Sequence, residues 1–149
     1  MPDLSDVRRF LSKETGLATI STTQADGRVL SSVVNCGVFH HPVTDTPQIA
    51  LVSRGNAARI SHIRRGSEVT VSVRRGWSWV AATGPAETFG PDDLGPTMDA
   101  DSLRIMLRDI FTACGGTHDN WEEYDQAMVD DGRVAVFISP DRILGVTSN

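Results

Sequence analysis

The chain has 149 residues with a formal charge of −5 and a pI near 5.2, enough for one domain with a real core and too few for two ordinary ones. An acidic balance of this size excludes general attraction to nucleic acid or anionic membrane, because both require a net basic surface. With no apolar segment of spanning length and an acidic Met1-Pro2-Asp3-Leu4-Ser5-Asp6 start, the expectation is a cytosolic protein without a leader.

Leu4, Val7, Phe10 and Leu11 recur at helical spacing behind Asp3 or Ser5 as N-cap, which predicts a short amphipathic helix that ends near Gly16 and lids a barrel. Leu17 to Thr22 and Val29 to Phe39 are rich in β-branched residues and flank Asp26-Gly27, the signature of an antiparallel hairpin. His40 to Pro47 reads as a turn before a third strand, Gln48 to Ser53. Asn56 is expected to cap a following helix with Ala57, Ile60 and Ile63 on its apolar edge and Gly66 at its end. Val69, Val71 and Val73 alternate with polar residues, the period of a half-buried strand, and Arg75-Gly76 turns into a further strand, Trp77 to Glu87.

After a proline-punctuated stretch, Leu103, Met106, Leu107, Ile110 and Phe111 form a helical stripe. Trp121, Tyr124 and Met128 form a second stripe behind an Asn120-x-x-Glu123 capping box. Both helices are expected to pack on the barrel or on a partner subunit. Val134 to Ile138 and Ile143 to Val146 complete about six or seven strands with helices inserted rather than alternating, which favours a mainly β antiparallel barrel with peripheral helices over a doubly wound fold. No repeat or linker divides the chain, so residues 1–149 are read as a single unit.

The segment Arg54-Gly55-Asn56-Ala57-Ala58-Arg59-Ile60-Ser61 gathers guanidinium groups and free backbone N–H groups where a strand gives way to a helix, a corner suited to a phosphate, although Arg59 taken alone reads more simply as half of a surface ion pair. Other features have plainer readings. Cys36 and Cys114 stand outside any CxxC spacing and read as two reduced, apolar thiols. His40-His41 lacks an acidic or Cys co-ligand at useful spacing, so no metal site is expected. Glu122, Glu123 and Asp125 complement the dipole at a helix start.

Taken together, Gly16-Leu17-Ala18-Thr19-Ile20 with Asp26-Gly27-Arg28, the Asn56 to Arg65 helix, Gly76-Trp77-Ser78-Trp79 with Gly84, and the stretch from His118 to Val129 resemble the split β-barrel flavin and deazaflavin oxidoreductases. Within that pyridoxamine-phosphate-oxidase-like superfamily the chain is most similar to the small actinobacterial F420-dependent group. The resemblance implies a homodimer with the cofactor in a groove between subunits. It places Ser32, Val34 and Asn35 along the ring, Val52 and Ser53 along the ribityl chain, and Arg59 with Ser61 and the amides near Ala57 and Ala58 around the phosphate. A second basic residue expected just before Arg59 falls on Ala57, and Arg54 or Arg64 is available to replace it.

Trp77 and Trp79 would wall the groove from the partner subunit, or else belong to the barrel core, being two apart on one strand. The implied activity is hydride transfer from reduced F420 to an electron-poor double bond of a small planar substrate, with no acid or base assigned. The alternatives are an FMN-dependent oxidase of the pyridoxamine phosphate type and a non-catalytic module for a flavin, deazaflavin or haem.

Overall fold

The computed structural model describes residues 1–147. The elements are α1 (Leu4–Lys13), β1 (Leu17–Thr23), β2 (Val29–Asn35), β3 (Gly37–His40), β4 (Pro47–Ser53), α2 (Ala58–Arg64), β5 (Val69–Arg75), β6 (Ser78–Gly84), β7 (Ala86–Phe89), α3 (Ala100–Ala113), α4 (Trp121–Asp130), β8 (Val134–Ile138) and β9 (Arg142–Val146). Two antiparallel sheets share the strands, one ordered β2-β1-β5-β6-β9 and the other β3-β4-β8-β7.

Two strands expected to run unbroken are each split between the sheets. The expected Val29 to Phe39 strand breaks at buried Cys36, leaving β2 in the five-stranded sheet and β3 in the four-stranded one. There Cys36 N–H donates to Gly16 O at 2.7 Å instead of to a strand neighbour. The expected Trp77 to Glu87 strand breaks at Pro85, whose missing N–H cannot serve a ladder, giving β6 and β7 in different sheets. These two crossings raise the strand count to nine among the described residues. They also produce the seam on which the site is built.

Alternation decides which faces are covered. Ala18 and Ile20 of β1, Val69, Val71 and Val73 of β5, and Val80 and Ala82 of β6 point inward against Ile49 and Leu51 of β4 and Val134, Val136 and Ile138 of β8. Val7, Phe10 and Leu11 of α1 fill one end of this barrel, each such buried side chain stabilising by roughly 1.5–3 kcal/mol. Asp3 caps α1 with a reciprocal bond from its own N–H to Asp6 at 2.9 Å.

The four-stranded sheet is covered on its second face too, where Leu103, Met106, Leu107 and Ile110 of α3 pack on Ala50, Phe89, Ala135 and Phe137. Burial on both faces explains why Val134 to Ile138 reads as a continuous apolar run. Tyr124 of α4 docks on α3 by donating its hydroxyl to Leu107 O at 2.9 Å. The Asn120 side chain accepts from Glu123 N–H at 3.2 Å, half of the expected capping box.

Candidate functional site

Where the sheets part, β2 forms an edge whose residues are exposed or half-buried throughout, and β4 runs beside it in the other sheet. The chain leaves β4 through Arg54 and Gly55 into α2. Asn56 does not cap that helix; the N-cap is Ala57, with extended backbone and no side-chain bond. With only seven residues, α2 completes fewer than two full turns, so its dipole is slight and Arg59 dominates the electrostatics of the corner.

Arg59 lies in the seam. Its Nη1 donates to Ser53 Oγ and its Nη2 to Ser32 Oγ, both at 3.0 Å, so one guanidinium reaches strands of both sheets. Its Nε is buried and has no partner, and among the described residues no carboxylate pairs with it. Burial pulls its pKa below the ordinary guanidinium value, yet the group remains a cation at neutral pH. A partly buried positive charge held only by two hydroxyls is incompletely satisfied, since hydroxyl dipoles replace neither water nor a counter-anion.

That guanidinium opens into a cavity of about 680 Å³, within the range of small-molecule sites. Of the residues expected at the site, Val34, Asn35, Val52, Ser53, Ala57 and Arg59 line it, and Ser32 touches it through Arg59. Arg54 and Arg133 add two further guanidinium groups, and among the described residues no carboxylate lines the cavity. Arg133 is held by Asp131 at 3.2 Å. Arg64 is tied to Asp93 and lies outside the cavity, so of the two possible replacements for the basic residue absent at Ala57, Arg54 is the one at the site.

Ala58, Ser61, Trp77 and Trp79 do not line this cavity in the same chain. Ser61 is exposed on α2. Trp77 sits in the β5–β6 turn outside the strand at 95% exposure and Trp79 is 38% exposed, so neither belongs to the barrel core.

The opposite wall comes from helices read in the sequence as packing elements. Phe111, Tyr124 and Met128 present an apolar surface, and Cys114, Gly115 and Gly116 continue it after α3. Because the Tyr124 hydroxyl is spent on Leu107 O, this residue offers its ring to the cavity and not its O–H. Phe111 and Tyr124 meet at 4.9 Å between centroids, and Trp121 closes edge-on behind both. A Cβ at Gly116 would lie 2.5 Å from Phe111 Cζ, so glycine here lets the ring occupy its place. The sequence signal for this wall was slight: Phe111 falls at the edge of its stripe and is half-buried, unlike Leu107 and Ile110.

Among the described residues lining the cavity there is no His, Asp or Glu. Burial pushes the Tyr124 hydroxyl and the Cys114 thiol up to about 12, and Cys36 is raised for the same reason. Both cysteines are free and buried. His41 serves the fold instead, with Nδ1 accepting from Val43 and Thr44 N–H at 3.1 and 3.2 Å and Nε2 donating to Glu87 at 2.9 Å. No cluster of metal-binding side chains occurs among the described residues, and no helix there is long and apolar enough to cross a membrane.

No protein-family model matches the chain. Solved structures do. A conserved hypothetical protein of Mycobacterium tuberculosis superposes with a TM-score of 0.69 at 16% identity over 99% of this chain and 86% of that one. A pyridoxamine 5'-phosphate oxidase-related, FMN-binding protein of Nostoc punctiforme gives 0.59 at 15% identity over 97% and 81%. The chain has the pyridoxamine 5'-phosphate oxidase-like split-barrel fold. A haem-binding protein of Mycobacterium smegmatis shares this split barrel with a TM-score of 0.57 at 15% identity, over 99% of this chain and 55% of that one. At such identities the likeness concerns architecture, so the chemistry of this split barrel rests on its own residues.

Proposed function

We propose that the chain is an oxidoreductase that binds a flat, phosphorylated redox cofactor in the seam, with coenzyme F420 as that cofactor and a small planar, electron-poor alkene as substrate. The observation that carries the reading is Arg59: a half-buried cation with an orphaned Nε, held by hydroxyls alone in a cavity that no carboxylate lines among the described residues. An incoming phosphate supplies the missing anion, and charge-assisted bonds to it are about twice as strong as neutral ones.

Arg54 extends positive charge beyond Arg59, with Arg133 at the same wall balanced by Asp131, which suits a cofactor with negative charge along a tail better than one charged at a single terminus. F420 has such a tail and FMN does not. In the bound state the deazaflavin supplies hydride chemistry at its ring carbon. The chain's own residues bind and orient. Arg59 would hold the phosphate, Val52 and Ser53 would face the linker, and Phe111, Tyr124 and Met128 would give the ring an apolar cover, all of them lining the cavity.

Asn35 spends Nδ2 on Thr15 O at 2.9 Å, leaving its Oδ1 to accept from a ring N–H. Burial raises the Tyr124 hydroxyl and the Cys114 thiol to about 12, so neither is assigned as acid or base, and the proton would come from water or a donor outside this cavity. Turnover should therefore show no bell-shaped pH profile from a cavity side chain between about pH 6 and 9; a sharp pair of titrations in that window would contradict the assignment.

A second copy of the chain completes the site in this proposal. The outer face of the five-stranded sheet carries exposed Leu17, Val29, Val33, Trp79, Leu144 and Val146 without a covering helix, an apolar face that an isologous dimer buries. Trp77 at the hairpin tip is then free to reach the partner's groove.

The FMN-binding Nostoc neighbour and the haem-binding mycobacterial one supply the competing ligands. Titration of purified protein with F420, FMN and haemin separates them. Saturable quenching of deazaflavin fluorescence, followed by oxidation of reduced F420 in the presence of planar enones, is the expected result. Tight FMN binding without F420 binding would make the protein a flavoenzyme, and binding without turnover would make it a carrier.

A further inference from the structure

Helix α1 ends in a left-handed turn closed by a six-to-one hydrogen bond. Gly16 N–H donates back to Leu11 O at 2.8 Å, a pattern that requires a left-handed residue just before Gly16, where glycine is usual. Here that residue is Thr15, at φ 56°. A β-branched side chain in this region crowds its own backbone and is a true outlier. Gly16 shares the left-handed backbone at φ 75° and is constrained further, since a Cβ there would lie 2.3 Å from Cys114 O. A glycine at 15 would meet the needs of the turn without strain, yet the chain carries threonine.

Backbone strain indicates function only when its location does so independently. Thr15 lines both the 680 Å³ cavity and a second one of about 280 Å³, and the two share Thr15, Cys114 and Gly115. The smaller cavity has apolar walls at Leu11, Val38 and Ala113, with the exposed Arg8 beside them. Across from Thr15, a Cβ at Gly115 would lie 3.7 Å from the Thr15 carbonyl and 3.8 Å from its Cγ2, ordinary contact distances for backbone and side chain alike. Asn35, which lines the large cavity, fixes the Thr15 carbonyl.

We propose that Thr15 is a specificity-determining residue: it forms the sill between two lobes of one ligand site and limits how far an apolar substituent on a planar ligand extends into the smaller lobe. The proposal rests on the larger cavity being the ligand site and is independent of which cofactor fills it. The strain is retained because glycine at this position would merge the lobes.

The test compares wild type with Thr15→Gly and Thr15→Val, using 8-anilinonaphthalene-1-sulfonate as a planar, apolar, anionic probe and F420 in parallel. Thr15→Gly should raise Tm by about 2–4 °C as the left-handed strain is relieved. The same variant should bind the probe about fivefold more tightly, because the naphthyl and anilino rings gain both lobes. Thr15→Val keeps the sill and should match wild type in probe affinity with no gain in Tm.

Higher Tm with unchanged probe affinity would leave Thr15 a strained residue without a role in specificity. A lower Tm for Thr15→Gly would remove the premise of strain, and failure of the probe to saturate either protein would show that the lobes do not form a ligand site. Failure of the wild-type protein to bind F420, with the probe response as expected, would overturn the cofactor assignment and leave the sill standing.

Discussion

The two walls of the cavity are built on opposite principles. On the β side, Arg59, Ser32, Ser53 and Asn35 sit at strand edges where two sheets diverge, and their polar groups are fixed by a few directed bonds. On the helical side, Phe111, Tyr124 and Met128 belong to packing stripes whose outer edges face the cavity. The β side therefore sets charge and register, while the helical side sets shape. A ligand satisfying both has an anionic end and a flat apolar end.

The largest effect should come from Arg59→Ala, which removes the unpaired cation. F420 should bind about tenfold more weakly or worse, equal to about 1.4 kcal/mol, while Tm holds or rises because the guanidinium loses a partly buried position with an orphaned Nε. Equal affinity in a fluorescence titration would remove the phosphate assignment.

Next comes the helical wall. In Gly116→Ala the new methyl displaces the Phe111 ring, and F420 affinity should fall about fivefold through a change of shape alone. Isothermal titration at two salt concentrations separates the walls, since Arg59→Ala should weaken the salt dependence of binding and Gly116→Ala should not.

How much of this was legible in the sequence follows the same division. The Arg59 corner stood out only with the family resemblance beside it, because the residues alone fit a surface ion pair as well as a phosphate contact. Alternation and β-branched content located β1, β4, β5 and β8. The breaks at Cys36 and Pro85 were missed, because a strand that crosses between sheets keeps the composition of a continuous one. The helical wall was missed for a related reason: an aromatic residue at the edge of a stripe has the same spacing whether it meets a neighbour or a ligand, and only tertiary placement distinguishes Phe111 from Ile110.

Smaller effects sharpen the comparison through stability. Tyr124→Phe leaves Leu107 O without its hydroxyl donor and should cost about 1 kcal/mol, or about 2–4 °C in Tm, with little change in F420 affinity. A large loss of affinity would mean that the hydroxyl, and not the ring, faces the ligand.

The smallest effect concerns α3 and α4. The side-chain bond from Arg108 holds the Asp125 carboxyl below its usual range, with Arg104 adding to it, and Arg108 also lies 5.4 Å from the Trp121 ring. Asp125→Asn should destabilise by about 0.5–1 kcal/mol at neutral pH. A depressed folded-state pKa contributes stability that is fully present above the ordinary carboxylate value of about 3.9 and is lost as pH falls through the lowered one. The Tm difference between wild type and variant should accordingly be constant from neutral pH down to that value and close below it. A difference that persists in acid would place the effect in packing.

The central claim is tested most directly by a crystal structure of the protein with F420. The account predicts a phosphate oxygen within about 3 Å of the Arg59 guanidinium, and the ring lying against Phe111, Tyr124 and Met128. A cofactor bound elsewhere, with Arg59 still engaged only by Ser32 and Ser53, would contradict it.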